Sequence, residues 1–278
     1  MTTTRTMRYD WISFTTDYGL DDGFVAACHG VIATIAPAVR VIDVAHTVAP
    51  QEIRRAAAVL RATMPFLPPA VHILVVDPGV GTARRPIAAL TAEDDLLVGP
   101  DNGLLPLVAE SRGGIRKAHE LTSPSYRRPQ VSATFHGRDI FAPAAAHLAL
   151  GVDPRELGPL VEVGSLVRVP PSAGVAVGVG SITAEVQTLD RFGNIQLNAN
   201  AGDLGAAEIT AGDVVWFAVG EKAMVAAVRE TFANVPKGRG VLYLDAVGML
   251  SLAVNGGSAA EVLDASPGDT VSVSRVDR

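Results

Sequence analysis

The chain has 278 residues, 48% of them apolar, and a formal net charge of −6. So much apolar side chain excludes a disordered chain and leaves room for two domains or one large one. The acidic balance argues against a nucleic-acid-binding surface as the main role, and no apolar run reaches the roughly 18 residues of a membrane span. The opening Met1–Asp10 is polar and lacks the apolar core of a signal peptide, so the expected compartment is the cytoplasm. The one cysteine, Cys28, excludes an internal disulfide and a cysteine cluster for zinc. It falls at helix spacing with Phe24, Val31, Ile32 and Ile35 and reads as core.

In chain order, Trp11 to Thr16 reads as a first strand, followed by Asp17-Tyr18-Gly19-Leu20-Asp21-Asp22-Gly23. Asp21 or Asp22 is placed to cap a helix that runs to about Ile35, where Pro37 stops the pattern. Val39 to Val44 is a second strand, and Gln51 to Met64 carries Ile53, Ala57, Leu60 and Met64 on one helical face. The apolar run Val71 to Val76 reads as a buried parallel strand that ends abruptly at Asp77-Pro78-Gly79-Val80-Gly81-Thr82-Ala83-Arg84-Arg85. Pro78 fixes φ there and the glycines permit angles and close approaches that other residues forbid. Apolar segments at Pro86 to Thr91 and Leu96 to Val98 precede an Asp101-Asn102-Gly103 turn into a leucine-rich helix. A further helix is predicted from Gly137 to Leu150.

Strands alternating with helices imply an α/β unit with a mostly parallel, doubly wound sheet. After about Gly151 the character changes. Val169-Pro170-Pro171-Ser172-Ala173-Gly174 is stiff and then loose, as a linker is. Short valine-rich segments follow at Val175–Val179, Ile182–Leu189, Val214–Val219, Gly240–Leu244, Leu250–Val254 and Thr270–Val273, the pattern of a small antiparallel sheet or barrel. The expected domains are 1–168, α/β, and 175–278, β-barrel-like.

Three clusters of residues suit chemistry. In an open α/β sheet, ligands sit beyond the carboxyl ends of the strands, so Asp17 and Asp77 point towards a site, and the arginines after Asp77 bring guanidinium groups there. Asp17 can accept two hydrogen bonds from vicinal hydroxyls, or serve only as a turn former. Asp77 with Arg84 makes a pair that stays ionised and fixes a water or an anion, and His136, in Phe135-His136-Gly137-Arg138-Asp139, can take a proton near neutral pH. The bland alternatives are a strand-end histidine bonded to backbone and, for Arg138 and Asp139, a solvated helix start. In Asp190-Arg191-Phe192-Gly193-Asn194, Asp190 suits a cationic amine, Phe192 a stacking face and Asn194 an adenine edge; a plain hairpin turn uses the same residue types. The six histidines lack the i, i+4 pairing of a helical zinc site, so no metal is expected. No phosphate loop, G-x-S-x-G elbow or dinucleotide fingerprint occurs.

TTDYG, VIDVAHTVAPQEI, VVDPGVGTARR, VGPDNG, FHGRDIFAP, DRFGN and LSLAVNGGSA occur in an order that resembles the S-adenosyl-L-methionine hydroxide adenosyltransferases, relatives of the SAM-dependent fluorinase and chlorinase. The resemblance runs from about Ile12 to Val273. It implies an α/β domain followed by a β-barrel-like domain, a homotrimer with sites between subunits, and hydrolysis of S-adenosyl-L-methionine to adenosine and L-methionine without a cofactor. Asp77, Arg84 and His136 match the water-activating set, with His136 the usual chemical choice of proton acceptor. Asp17 matches the residue that holds the ribose hydroxyls and Asp190 the one that holds the methionine amine. Phe192 and Asn194 face the adenine, with backbone groups of the Asn255-Gly256-Gly257-Ser258-Ala259 loop. The segment at Asp245 is assigned to the methionine carboxylate, but Asp245-Ala246-Val247-Gly248 stands where relatives more often have serines.

Three alternatives remain at this stage. A halogenase would carry aromatic and small hydroxyl residues at Asp77–Val80 and an insertion that Arg85 to Gly99 cannot hold. A calcium-dependent nucleoside hydrolase opens with D-T-D-P-G-x-D-D, where this chain has Thr15 for the first Asp. A non-catalytic adenosine or S-adenosylmethionine sensor would have no need of a water-activating set.

Overall fold

The computed structural model describes residues 8–276; Met1–Met7 of the polar opening and Asp277–Arg278 lie outside the described residues. The chain divides between Val169 and Pro170 into two compact units.

The first unit is built on a seven-stranded sheet of β1 (Trp11–Thr16), β2 (Arg40–Ala45), β3 (Val71–Val75), β4 (Pro86–Thr91), β5 (Leu96–Pro100), β6 (Ile115–Glu120) and β7 (Leu160–Val161). Its order is β2-β1-β3-β5-β4-β6-β7. The pairs β2–β1, β1–β3 and β3–β5 are parallel, and the rest of the sheet continues antiparallel. Successive side chains of a strand face opposite sides, so a strand covered on both sides reads as an unbroken apolar run. β3 is such a strand. Val71, Ile73 and Val75 join one core with α1 (Phe24–Ile35) and a helix at Ala142–Ala149. Leu74 and the following Val76 join the other, with α2 (Ile53–Thr63) and α3 (Leu104–Ala109). Helices on both faces make the sheet doubly wound. The order reverses at β1, with β2 on one side and β3 on the other, so the crevice past the ends of β1 and β3 is the topological switch point.

Local structure departs from the sequence reading in three places. α1 begins after Gly23, which makes no side-chain cap bond, while Asp21 and Asp22 are exposed and cap nothing. The predicted helix at Gly137 opens as a π-helical turn, Gly137–Phe141, before α4 (Ala142–Ala149). Such turns widen a helix by one residue and often mark functional sites. β6 is half exposed and mixed in polarity, which hid it in the sequence.

In the second unit the strands are β8 (Ala176–Gly178), β9 (Ser181–Leu189), β10 (Ile195–Asn200), β11 (Val214–Val219), β12 (Lys222–Val228), β13 (Gly240–Leu244), β14 (Met249–Val254) and β15 (Thr270–Arg275). They pair as β10-β14-β13-β12-β11-β15-β9, and β9 pairs again with β10, which closes a seven-strand barrel with β8 added to β9. All its pairs are antiparallel except β12–β13. Alternate residues fill the interior, among them Ile182, Ala184 and Val186 of β9 and Val215 and Phe217 of β11. A second, small cluster of Val235, Val241 and Ala253 lies under the connection from β12 to β13.

Candidate active site

The switch point holds a pocket of about 270 Å³, counted out to its open mouth, with Val75 and Val80 as apolar lining and Asp17, Tyr18, Asp77, Thr134, His136 and Gly137 around them. Four segments supply these residues: the ends of β1 and β3, the turn after β3, and the entry to the π-helical turn.

The turn after β3 folds Arg84 back onto Asp77. Val80 N–H donates to the Asp77 carbonyl (3.2 Å), and the Thr82 hydroxyl and amide both donate to the Gly79 carbonyl (2.7 and 3.2 Å). Gly81 has φ +77°, and a Cβ there would lie 2.5 Å from the Ala133 carbonyl oxygen, so only glycine suits this position. Arg84 Nε donates to both Asp77 oxygens (3.0 and 3.1 Å), and Nη2 donates to Oδ2. The side chains are 9% and 5% exposed, so the pair is nearly dry. Arg84 Nη1 is buried with no hydrogen-bond partner among the described residues, and the guanidinium also faces the Phe141 ring at 5.3 Å.

Arg84 Nη2 also donates to His136 Nδ1 at 2.7 Å. A guanidinium only donates, so Nδ1 is the acceptor and the neutral ring carries its hydrogen on Nε2. Burial and the Arg84 charge push the His136 pKa below the usual imidazole value, against the pull of Asp77. His136 is therefore a neutral donor through Nε2, and its one lone pair is already engaged.

Asp17 stands at the end of β1. Burial raises its pKa above the usual carboxylate range, and Asp77 adds to this, while the Gln51 amide, donating to Oδ2 at 3.2 Å, opposes it. Gln51 holds that amide in place with φ +70°, a strained angle for a residue with a side chain. Neither Gln51 nor Tyr18 carried a role in the sequence reading; the only signal for Tyr18 was its place inside TTDYG. Arg85, which the sequence placed at the site, instead pairs with buried Asp101 (Nε to Oδ2, 2.9 Å) and donates to the Ser165 carbonyl (2.7 Å). Asp139 is fully buried and accepts from Arg138 Nε and from the Ser132 amide (2.7 and 2.8 Å). It is a structural anchor for the loop before His136, not a solvated helix start. Burial opposes its ionisation, but those bonds and the charges of Arg138 and Arg128 hold its pKa low.

The remaining expected residues lie on the barrel unit. Asp190 accepts from the amides of Phe192 and Asn194 (2.8 and 3.0 Å) and from Asn194 Nδ2 (2.6 Å), so the turn reading and the binding reading concern the same atoms. Phe192 is 68% exposed. The Gly193 carbonyl accepts from the Ala260 amide (2.9 Å), which docks this turn on the start of the helix Ala259–Leu263. Ser258 caps the helix Ala259–Leu263 through the Glu261 amide (3.1 Å), and Asn255 Nδ2 donates to the Val235 carbonyl (2.7 Å). Asp245 accepts from Gln196 Nε2 (2.5 Å), from the amides of Val247 and Met249 (3.0 Å each) and from Ser251 Oγ (3.2 Å). These bonds commit it to its own turn.

A doubly wound unit with a carboxylate–arginine–histidine set at its switch point, followed by an odd-stranded barrel, defines a narrow class of proteins. The chain belongs to the SAM hydroxide adenosyltransferase family, whose N-terminal domain matches residues 12–158 and whose C-terminal domain matches residues 184–272. It is 53% identical over 263 residues, 95% of this chain and 97% of the relative, to a protein of Salinispora arenicola named (R)-S-adenosyl-L-methionine hydrolase. Identity falls to 28% over 300 residues, 98% of this chain and 99% of the relative, for a fluorinase of Nocardia brasiliensis. The crystal structure of a conserved protein from Thermotoga maritima superposes with a TM-score of 0.88 at 37% identity, covering 95% of this chain and all of the other.

Proposed function

We propose that the protein hydrolyses S-adenosyl-L-methionine to adenosine and L-methionine by in-line attack of water on C5′. The observation that carries this reading is the dry Asp77–Arg84 pair with His136 fixed on the same guanidinium, at a pocket that also presents Asp17. The hydrolase name of the Salinispora relative, at 53% identity over nearly the whole chain, supports the same chemistry.

The sulfonium departs as a neutral thioether and takes the electron pair of the C5′–S bond, so no general acid is needed. The water oxygen forms the new bond to C5′ and becomes an oxonium, a strong acid whose proton needs only a weak base. That role is assigned to Asp77, because the lone pair of His136 is used by Arg84. His136 Nε2–H then orients the water rather than deprotonating it. The balance is one water and one sulfonium cation giving adenosine, methionine and one proton. Positioning in line supplies the rate, since an oriented nucleophile avoids much of the entropy cost of encounter. Asp17 is assigned to the ribose hydroxyls; Asp190, Phe192, Asn194 and the Asn255–Ser258 loop are assigned to the amine and the adenine. Asp245 serves this part only through its turn.

Halide in place of water is disfavoured by the Asp77 carboxylate beside the point of attack. The calcium-dependent reading is disfavoured because Thr15, standing for the first acidic ligand, is buried with its hydroxyl. We further infer a cofactor-free homotrimer with sites between subunits, working in the cytoplasm where its charged substrate is found. No helix of the described residues is long and apolar enough to cross a membrane.

The test is chromatography of the purified protein after incubation with S-adenosylmethionine, with and without chloride and a chelator. Adenosine and methionine unaffected by either addition are expected. A chlorinated nucleoside, loss of activity with chelator, or binding without turnover would each overturn the reading in favour of a different class. Light scattering on the same sample checks the trimer, and fractionation of the source cells the compartment.

A further inference from the structure

Tyr18, like Thr134, lines the pocket without an assigned role so far, and Thr134 is engaged with Ser132 Oγ (3.3 Å). The Tyr18 ring is held edge-on by Phe14, Phe24 and Phe135 at centroid distances of 6.5, 6.1 and 5.8 Å, so the phenol has one well-defined direction. That direction leads to Gly137, next to His136: a Cβ built on Gly137 would lie 2.0 Å from Tyr18 Oη. The hydroxyl thus fills the volume that any side chain at position 137 would need. Among the described residues Tyr18 Oη makes no hydrogen bond, although Tyr18 lines the same pocket as Asp77 and His136. Tyr18 is half-buried, and a pocket hydroxyl that no protein group pairs is available to a bound partner.

A water that attacks through one lone pair has three tetrahedral positions left. One hydrogen goes to the Asp77 carboxylate, and the second lone pair accepts from His136 Nε2–H. The second hydrogen still needs an acceptor. We propose that Tyr18 is a positioning residue for the nucleophilic water, its Oη accepting that second hydrogen, and that Tyr18 and Gly137 together set the size of the nucleophile's place. This rests on the hydrolase reading above. Burial, aided by Asp17 and Asp77, raises the Tyr18 pKa well above the usual phenol value, so the hydroxyl stays neutral and the water keeps a dipole rather than a charge beside it. Its own hydrogen is free for the substrate or for solvent.

The experiment compares the full-length wild type with Tyr18→Phe and with Tyr18→Phe combined with Gly137→Ser. Removing Oη leaves the nearest ring atom 3.0 Å from the Cβ position of residue 137, so a serine fits with a shift of a few tenths of an ångström and returns a hydroxyl to the vacated volume. For each protein we would measure kcat and KM with S-adenosylmethionine, adenosine affinity by calorimetry, and the melting temperature. Tyr18→Phe is expected to lose about tenfold in kcat, the share of one net hydrogen bond, with KM and adenosine affinity within about twofold. The double variant should regain about threefold or more of that loss, which a merely structural role of the ring would not produce. Unchanged kcat in Tyr18→Phe, a matching loss of adenosine affinity, or a double variant no faster than Tyr18→Phe would each overturn the role of Tyr18. A wild type that makes no adenosine would instead overturn the hydrolase reading itself, and the inference with it.

Discussion

The Asp77–Arg84 pair gives a prediction in which stability and chemistry separate. Arg84→Met keeps the stem of the side chain and removes its charge, leaving an Asp77 carboxylate of 5% exposure without its counter-ion. Breaking one side of a buried pair costs about 3–5 kcal/mol, because the remaining charge is stranded. For a domain of this size that corresponds to a fall of about 6–20 °C in melting temperature. Asp77→Asn removes the other charge while keeping the shape, and the double variant removes both. Since an uncharged replacement of a whole buried pair is often close to neutral, the double variant should melt above Arg84→Met alone, with a coupling of about 2 kcal/mol or more. Turnover should not follow: all three variants are expected to lose about 100-fold or more, because each removes either the Asp77 carboxylate at the water or the guanidinium that fixes Asp77 and His136. Calorimetric melts and adenosine formation on the same samples decide the matter. An Arg84→Met protein melting within about 2 °C of wild type, with additive effects in the double variant, would mean that the pair is solvated and that the dry-site reasoning is wrong.

Three further outcomes can be checked alongside it. Buried His72, hydrogen-bonded to Ser13 Oγ at 2.7 Å, has its pKa lowered to about 4 by burial, against a raising effect of Asp95. Its neutral form is favoured in the fold, so its contribution is present above the unfolded value near 6.5 and is lost as pH falls towards 4, by about 3 kcal/mol in all. Urea midpoints from pH 7 to 4 should fall accordingly, and the same fall in His72→Gln would remove His72 as the cause. Gly81→Ala combines φ +77° with a Cβ 2.5 Å from the Ala133 oxygen, so it should cost about 2 kcal/mol or more and lower turnover by moving Arg84; a melting temperature like that of wild type would show that the turn is not tight. Asp17→Ala should weaken adenosine and substrate binding alike, by about tenfold or more, and equal affinity in calorimetry would remove Asp17 from the ribose role.

Where apolar runs are bounded by turn residues, the elements of the first unit can be read directly, as at Trp11–Thr16, Val71–Val75 and Pro86–Thr91. β6 could not, because an antiparallel strand with exposed Arg116 and Lys117 lacks the apolar run that marks its parallel neighbours. On the barrel, β10 alternates Ile195, Leu197 and Ala199 with Gln and Asn, and β12 is mostly alanine and valine. Neither carries a strong signal until ring closure supplies two neighbours. At the site, Asp77, Arg84 and His136 were legible as motif residues, but their bonding was not. That Arg84 reaches past Asp77 to occupy His136 Nδ1 depends on the turn at Gly81 and on the π-helical turn, both products of tertiary packing. The same holds for Gln51, whose contribution is a backbone amide, and for Asp245, whose carboxylate is spent within its own loop.

Strands around a closed ring can alternate in direction only if their number is even. With seven, at least one neighbouring pair must run the same way, and here it is β12 and β13. A parallel pair cannot be joined by a hairpin, so the chain between them must travel back along the whole barrel before β13 begins. That return is what puts Val235 over Val241 and Ala253, and what lets the Val235 and Arg239 carbonyls accept from the side-chain and backbone amides of Asn255. The loop carrying Ser258 is therefore held by a segment that exists for reasons of parity. Its length answers to the geometry of the ring, and deleting residues from it would disturb a distant loop before it disturbed any strand.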